Sequence, residues 1–406
     1  MKFFSRFFGP PSKEKFAKLF MTKMKDVGDQ RVPSFDPNEF RITWTQDGED
    51  AGVTNLGNIY AEYCQHDRKY RAKYLQTTCL TFAKNHDIPD EFDDARPDLR
   101  PTLKPRSYLD IFRRDSTLSK SKPIELAAVP VSQHLVACLV YDLPHSMNFV
   151  TTEQLEKWGT SIYEAMEVAL ENLDGQPGMM MTIGDKIFIL QSGDAYDATR
   201  LLKTDKIKSL SVIGDPVALE INRDCLMVTG SDDPEGLKIM ADLAETNLDD
   251  PRPICSIPVR LQGEEWHTWM PPDDNPAIEK YRKFAIRYFA GEYHEQKEHL
   301  DRLHESEGPD VFVASYGVVE FKDGRIRSYS VWSKGVPTWL PETDDIAFMD
   351  PDADTHDLVS WEHAVKIVGD AMTRLDVYPE RWAVDSFPDD EHMAELRKGI
   401  VPNAGA

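Results

Sequence analysis

The sequence predicts an α+β fold, with antiparallel sheets and helices packed on one side, and two observations carry that prediction. The first is a device that occurs twice between Met179 and Met240. Ile183-Gly184-Asp185-Lys186-Ile187-Phe188-Ile189-Leu190 reads as a strand end, a tight turn and an apolar strand, and the stretch from Gly193 to Leu202 follows as a capped helix. At a constant offset of 38 residues, Ile221 to Val228 repeats the hairpin and Ser231 to Met240 repeats the helix start, without a gap. Turn residues between β-type runs suit hairpins, and acidic residues suit a helix N-terminus with its unpaired N–H groups and positive dipole end. The second observation is a helix with clear start signals: Thr151 and Gln154 form a capping box, Val150 and Leu155 fit the accompanying staple, and Gly175 follows as a stop. Leu155, Trp158, Ile162, Met166, Ala169 and Leu173 recur at spacings of three and four and give this helix one buried face.

A chain of 406 residues exceeds one ordinary core. Three domains are predicted, at 12–86, 99–248 and 252–388. The first opens with an amphipathic helix from Ser12 toward Val27, followed by a short strand near Phe40 to Trp44 and a helical region holding Leu56, Ile59, Tyr63, Tyr74 and Leu75. A Pro-rich, acidic linker is expected from Asp87 to Asp98. The second domain carries strands near Thr102 to Tyr108 and Leu135 to Tyr141 before the long helix and the doubled unit. In the third, Asn275-Pro276 starts a long helix that Gly291 is expected to kink, a hairpin turns at Lys322-Asp323-Gly324, and the residues from Asp389 onward read as a frayed tail.

The net charge of −23 excludes binding of a phosphate backbone by counterion release, so no nucleic-acid partner is expected. Five scattered cysteines without a CxxC pair read as reduced thiols of a cytoplasmic protein. No run is long and apolar enough for a membrane span, and no signal peptide is read. Residues 1–28 depart from the acidic average, with seven basic side chains against Glu14 and Asp26. Phe3, Phe4, Phe7, Phe8, Phe16 and Phe20 could line a membrane-surface helix, but a helix docked on its own domain is the expectation.

The segment Asp194-Ala195-Tyr196-Asp197-Ala198-Thr199-Arg200-Leu201-Leu202 resembles the D-G-Y-D-A-S-R-I-L stretch of the YtpQ-like bacterial proteins, a family of unknown function. Pro105-Arg106-Ser107 is similar to that family's early Arg-Ser strand. The helix from Thr152 to Leu173 and the segment around Val217 to Met240 occur in matching order, so the resemblance covers about 12–248. Ala195 stands in place of the glycine and Thr199 in place of the serine, and the chain adds a region after Arg252. The family implies no activity and no catalytic residues.

Among motifs with chemistry, His294-Glu295-Gln296-Lys297-Glu298-His299 fails as a zinc-protease helix, because its histidines are five apart where four are needed. His294 with Glu298, or Glu295 with His299, could still share a face, and Glu298 is expected to pair with Arg302. The acids Asp344, Asp345, Asp350, Asp352, Asp354 and Asp357 could gather a divalent cation, although a solvated loop is the simpler account. Trp266-His267-Thr268-Trp269 is expected to pack. The site candidates are Arg106, Asp194, Tyr196, Asp197 and Arg200. Tyr196 and Arg200, four apart, could present a surface to a carboxylate or phosphate, whereas Asp194 and Asp197 are explained by helix initiation alone. The expectation is a non-catalytic protein that binds another protein or a small anionic ligand, with no cofactor, no bound metal and no membrane partner, and with an oligomeric state that the sequence leaves open. The alternative is a metal-dependent hydrolase using the His294 to Asp301 face or the acidic 344–357 loop.

Overall fold

Where the computed structural model describes it, the basic opening of the chain folds inward. The described residues are 10–83, 88–110, 123–143, 146–174, 179–321, 324–352 and 355–401. Helix α1 (Lys13–Asp26) is capped by the Ser12 hydroxyl, and its Phe16, Ala17, Phe20 and Met24 are all buried. The apolar stripe of residues 12–27 therefore faces a protein core; Phe3, Phe4, Phe7 and Phe8 lie outside the described residues.

The chain divides into two units, one made of Met1–Thr102, Cys138–Pro177 and Asn247–Pro253, the other of Leu103–Ala137, Gly178–Thr246 and Ile254–Ala406. The expected first domain lies within the first unit. The expected middle domain is shared between the two, and the expected third domain lies in the second unit from Ile254 onward. In the first unit, β1 (Val32–Asp36), β2 (Arg41–Gln46) and β3 (Glu49–Asn55) form an antiparallel sheet where only one strand was expected. Helices α2 (Gly57–Gln65) and α3 (Arg68–Ala83) follow, and Phe16, Phe20, Ile42, Trp44, Leu56 and Leu75 share one core. The chain continues through β4 (Leu99–Pro105), β5 (Ala128–Pro130), β6 (Leu135–Leu143) and β7 (Ser146–Phe149).

The single helix expected after Thr151 is two helices, α4 (Thr152–Trp158) and α5 (Ile162–Asp174). Its start is as read, since the Thr151 hydroxyl accepts from Gln154 N–H at 3.1 Å. Gly159, however, takes a left-handed conformation at φ 64° and ends the first piece, and Ser161 caps the second through Glu164 N–H. Gly175 lies outside the described residues.

In the second unit the doubled device forms one sheet. β8 (Met180–Ile183) pairs with β9 (Ile187–Leu190), and β10 (Pro216–Asn222) pairs with β11 (Cys225–Gly230). Met181 opposes Ile189 as Leu219 opposes Met227, and Met180 opposes Leu190 as Ala218 opposes Val228, so register is conserved at the offset of 38. β9 and β11 pair antiparallel through Leu190–Leu226, Ile189–Met227 and Phe188–Val228. That pattern maps onto itself about the Ile189–Met227 pair, so a local two-fold relates the hairpins. The first turn has Gly184 and Asp185 both at positive φ, the conformation of a type I′ hairpin. The second departs: its loop is Arg223-Asp224, and a register shift falls between Leu219 and Asn222. β12 (Val259–Gln262) and β13 (Glu265–Thr268) extend the sheet to the order β13-β12-β10-β11-β9-β8.

The elements after the hairpins differ. After β9 comes a 3₁₀ turn at Ala198–Leu202; after β11 comes α6 (Pro234–Asn247), fourteen residues long. Ala198 and Leu201 pack with Leu226 and Val228. By strand alternation Thr229 points to the other face, where a Cβ on Gly236 of α6 would collide with its hydroxyl oxygen. Every residue of β11 is buried, so the sheet is covered on both faces at this strand, not on one.

Helix α7 (Ile278–Glu307) runs through Gly291 without interruption. Its Ala285, Tyr288 and Phe289 pack against the core of the six-stranded sheet, and Lys280 reaches back to Asp242 and Glu245 of α6. β14 (Phe312–Val313), β15 (Gly317–Glu320), β16 (Ile326–Ser333), β17 (Thr338–Pro341), β18 (Asp345–Asp350), β19 (Thr355–Ser360), β20 (Thr373–Arg374) and β21 (Arg381–Val384) make two sheets, ordered β14-β17-β21-β20 and β15-β16-β18-β19. Each contains one parallel pair, β14 with β17 and β16 with β18. The chain leaves the β16 sheet for β17 before returning as β18, the kind of excursion a parallel pair requires. Of the expected turn at Lys322-Asp323-Gly324, the first two residues lie outside the described residues. α8 (Trp361–Val368) follows β19 directly.

From Asp389 to Val401 the expected tail is not frayed, and residues 402–406 lie outside the described residues. The Asp389 carboxylate caps α9 (Asp390–Leu396), Met393 and Leu396 join the core, and Val401 N–H reaches the Leu358 carbonyl. Polar composition concealed a cap and one buried turn. Leu396→Ala should therefore cost about 2–5 kcal/mol, as for other buried leucines, measured as a shift in urea unfolding; a change near zero would indicate a loose tail.

Candidate functional site

The Tyr196–Arg200 surface expected from the sequence is not a surface. Tyr196 and Arg200 are 3% and 7% exposed. The Arg200 guanidinium contacts Asp194 at 2.5 Å and Asp197 at 3.2 Å, while Asp197 also accepts from Ser192 and Gly193 N–H. Burial works to raise the Asp194 carboxyl, but Arg200 and the Tyr196 N–H outweigh it and hold it below its ordinary value. Buried and already matched by two carboxylates inside the fold, Arg200 is not presented to an anion. The adjacent Thr199 hydroxyl accepts from Leu103 N–H at 3.1 Å, fastening this turn to the end of β4. The motif carrying the family resemblance is thus a structural clasp.

Arg106 is the exception among the sequence candidates. It is exposed, it lies with its guanidinium 4.8 Å from the Tyr378 ring centre, and its N–H donates to the His134 carbonyl. That leads to a constellation the sequence did not reveal. His134, 5% exposed, bonds through Nδ1 to the Tyr378 hydroxyl at 2.8 Å, and that hydroxyl is 3.5 Å from the hydroxyl of Tyr288. Burial first, and Arg106 second, push His134 down to about 4, so its ring is neutral at pH 7. Burial raises the Tyr378 and Tyr288 hydroxyls, and burial followed by the nearby Glu220 raises the Cys255 thiol. Glu220 itself is wholly buried on β10, neither carboxyl oxygen has a hydrogen-bond partner among the described residues, and burial lifts its pKa well above the ordinary carboxylate value. The cluster is held uncharged.

His134 lies on the wall of a cleft of about 720 Å³. Ile257, Ala285 and Phe289 give it an apolar side, with the Phe289 ring 5.3 Å from that of His134. Tyr293 continues the aromatic wall. Its ring stacks on Tyr316 at 5.2 Å and 14°, and the buried Arg381 lies 5.3 Å from its centre. Arg381 is fixed by the Gln296 side chain and the carbonyls of Ala314 and Trp339. At the polar side, Arg282 is paired with Asp273 and Glu279, and Arg327 with Asp345. Asp344 accepts from Ser328 N–H and Oγ–H, and Glu342 from Trp382 Nε1–H at 3.3 Å.

The metal alternatives do not assemble. His294 is exposed and 3.4 Å from Glu298, while His299 is buried. Arg302 Nε donates to the Glu298 main-chain carbonyl, not to its carboxylate, and Lys297 pairs with Asp301. In the acidic segment Asp345, Asp350 and Asp357 are paired with Arg327, Lys334 and Arg397; Asp354 lies outside the described residues. Among the described residues no group of three His, Cys, Asp or Glu side chains is placed to hold a metal ion. Trp266 packs, its indole N–H donating to the Leu201 carbonyl at 3.1 Å. Among the described residues no helix is long and apolar enough to cross a membrane. No family model, curated protein or solved structure matches the chain.

Two predictions follow from these groups. Because the Asp194 pKa is lowered in the fold, its stabilisation is present above the ordinary carboxylate range and is lost as pH falls through the folded value. Arg200→Met should cost about 3–5 kcal/mol at pH 7, the scale of a buried pair left half-occupied. The deficit should shrink toward pH 4 as the orphaned carboxylates protonate, which urea unfolding at several pH values would show. Separately, Arg106→Gln should raise the His134 titration midpoint followed by NMR, but leave it below that of an ordinary histidine, since burial is the larger cause.

Proposed function

We propose that the protein is a cytosolic, non-catalytic binding protein of the YtpQ-like kind, and that it takes a small ligand in the cleft beside His134. The observation that carries this reading is the chemical state of His134 on the cleft wall and of the buried Cys255 thiol near it. A general base works best with an acidity near the operating pH, and a nucleophilic cysteine needs its thiolate favoured. Here His134 is driven down to about 4 and the Cys255 thiol is driven up. Such groups donate and accept hydrogen bonds but are poorly suited to moving protons or attacking carbon at pH 7. The cleft's size and its mixture of apolar wall and few polar groups match small-molecule sites in general.

The test is a fragment screen by NMR on the full chain, with elemental analysis of the purified protein. Fragments should shift resonances of His134 and Phe289, and Ala285→Phe, which places a ring in the cleft, should weaken the best fragment about tenfold or more, the equivalent of 1.4 kcal/mol. Stoichiometric, tightly held metal, or fragments that bind without disturbing the cleft, would overturn the proposal.

A further inference from the structure

We infer that the cleft selects an organic cation, an amine or guanidine whose far end is a neutral hydrogen-bond acceptor; this rests on the reading of the cleft as a ligand site. The walls carry Asp273, Glu279, Glu342, Asp344 and Glu380 against Arg282, Arg325 and Arg327. Two of the three cations are already matched by acids, Arg282 by Asp273 and Glu279 and Arg327 by both oxygens of Asp345, while the Arg325 guanidinium lies 5.4 Å from the Phe321 ring centre. On the acidic side Glu380 is matched by Arg374, but Glu342 and Asp344 accept only from neutral donors, Trp382 and Ser328. Among the described residues, two carboxylates on the cleft wall thus have no side-chain cation bonded to them, although Arg327 donates to the Asp344 main-chain carbonyl at 3.3 Å. Beside them stands the Tyr316 ring, whose stacking partner Tyr293 is fixed by hydroxyl bonds to the Glu380 carbonyl and the Glu342 N–H. An aromatic face next to carboxylates is a receptor for a cation.

A second, independent observation sets the other end. His134 is nineteen-twentieths buried yet lies on the cleft wall, and its ring bonds through Nδ1 to Tyr378. A phenol is the better donor toward an imidazole nitrogen, and this places the ring proton on Nε2 as a donor for the ligand. Because His134 is neutral, it suits a carbonyl or hydroxyl oxygen and offers no countercharge to a carboxylate. The rings of Phe289, Tyr293 and Tyr316 form a continuous wall between the two ends, with centres 6.2 and 5.2 Å apart.

A matched pair of probes isolates the charge. N-Acetylputrescine and 4-acetamidobutanoate share an acetamide and a similar chain length and differ in the sign of the terminal group. Binding to the full chain is followed by calorimetry and by the His134 and Phe289 resonances. N-Acetylputrescine should bind at least tenfold more tightly, with an advantage that falls as salt is raised. Glu342→Gln, at an exposed position, should cut that advantage severalfold with the unfolding midpoint unchanged, and Asp344→Asn should act in the same direction. Equal or tighter binding of 4-acetamidobutanoate in the cleft would overturn the charge inference and leave the cleft as a ligand site. An advantage indifferent to Glu342→Gln would overturn it as well. If neither probe, nor any fragment of the screen, disturbs the cleft, the reading beneath it fails too.

Discussion

The pairing of β9 with β11 about Ile189 and Met227 is the constraint on which the second unit depends. A two-stranded hairpin is marginal by itself. Two hairpins joined at equivalent strands make a four-stranded core with a local two-fold, and a slip of one residue would invert every side chain of one hairpin relative to the other. Conserved register on both sides of the axis shows that this did not happen. Once it is fixed, β12 and β13 can add beyond β10, and Ile257, Val259, Leu261 and Trp266 gain a surface on which to pack. Helix α7 then has a core to lie on, and it carries Ala285, Phe289 and Tyr293 to the cleft.

The two copies of the device diverge where their local chemistry diverges. After β11, Pro234 occupies the first helical position, where its fixed φ is suited and its missing N–H costs nothing, and fourteen residues of helix follow. After β9, Asp194 and Asp197 turn their carboxylates onto Arg200 and onto the N–H groups of Ser192, Gly193 and Tyr196. Side chains that satisfy local backbone in this way favour turns over helix, and a short 3₁₀ turn results. A buried arginine held by one buried and one half-buried carboxylate is a costly arrangement to assemble and a rigid one once made. The most motif-like segment of the chain therefore belongs to its scaffold.

How much was legible follows from the range of the interactions involved. Caps, turns and amphipathic stripes are local, so the α+β class, the start of α4 and the doubled hairpins could be read directly. The break at Gly159, the buried turn of α9 and the parallel pairs β14·β17 and β16·β18 could not, because each is decided by what the segment packs against. Arg200 shows the same limit inside a motif: spacing placed it on one face with Tyr196, but only the fold tells that this face points inward. His134, Glu220, Cys255, Tyr288 and Tyr378 come from distant points in the chain, and none sits in a pattern that distinguishes it from an ordinary core residue.

The placement of the cleft bears on what a resemblance can teach. The stretch for which a resemblance to the YtpQ-like proteins is expected from the sequence ends near residue 248, whereas the cleft is built from residues after Arg252, with Gln133 and His134 as the two earlier contributors. The clasp at Arg200 and the paired hairpins would hold the same sheet whatever ligand is taken, so this scaffold constrains the fold and says little about the cleft. What the scaffold does contribute is burial. Glu220 on β10 and Cys255 beyond it lie behind the wall of the cleft, next to Tyr288, in a position where charge is strongly disfavoured. A low-dielectric backing of that kind strengthens each hydrogen bond made at His134 and makes each unmatched polar group costly, so the apolar core of the sheet is itself part of the cleft's selectivity.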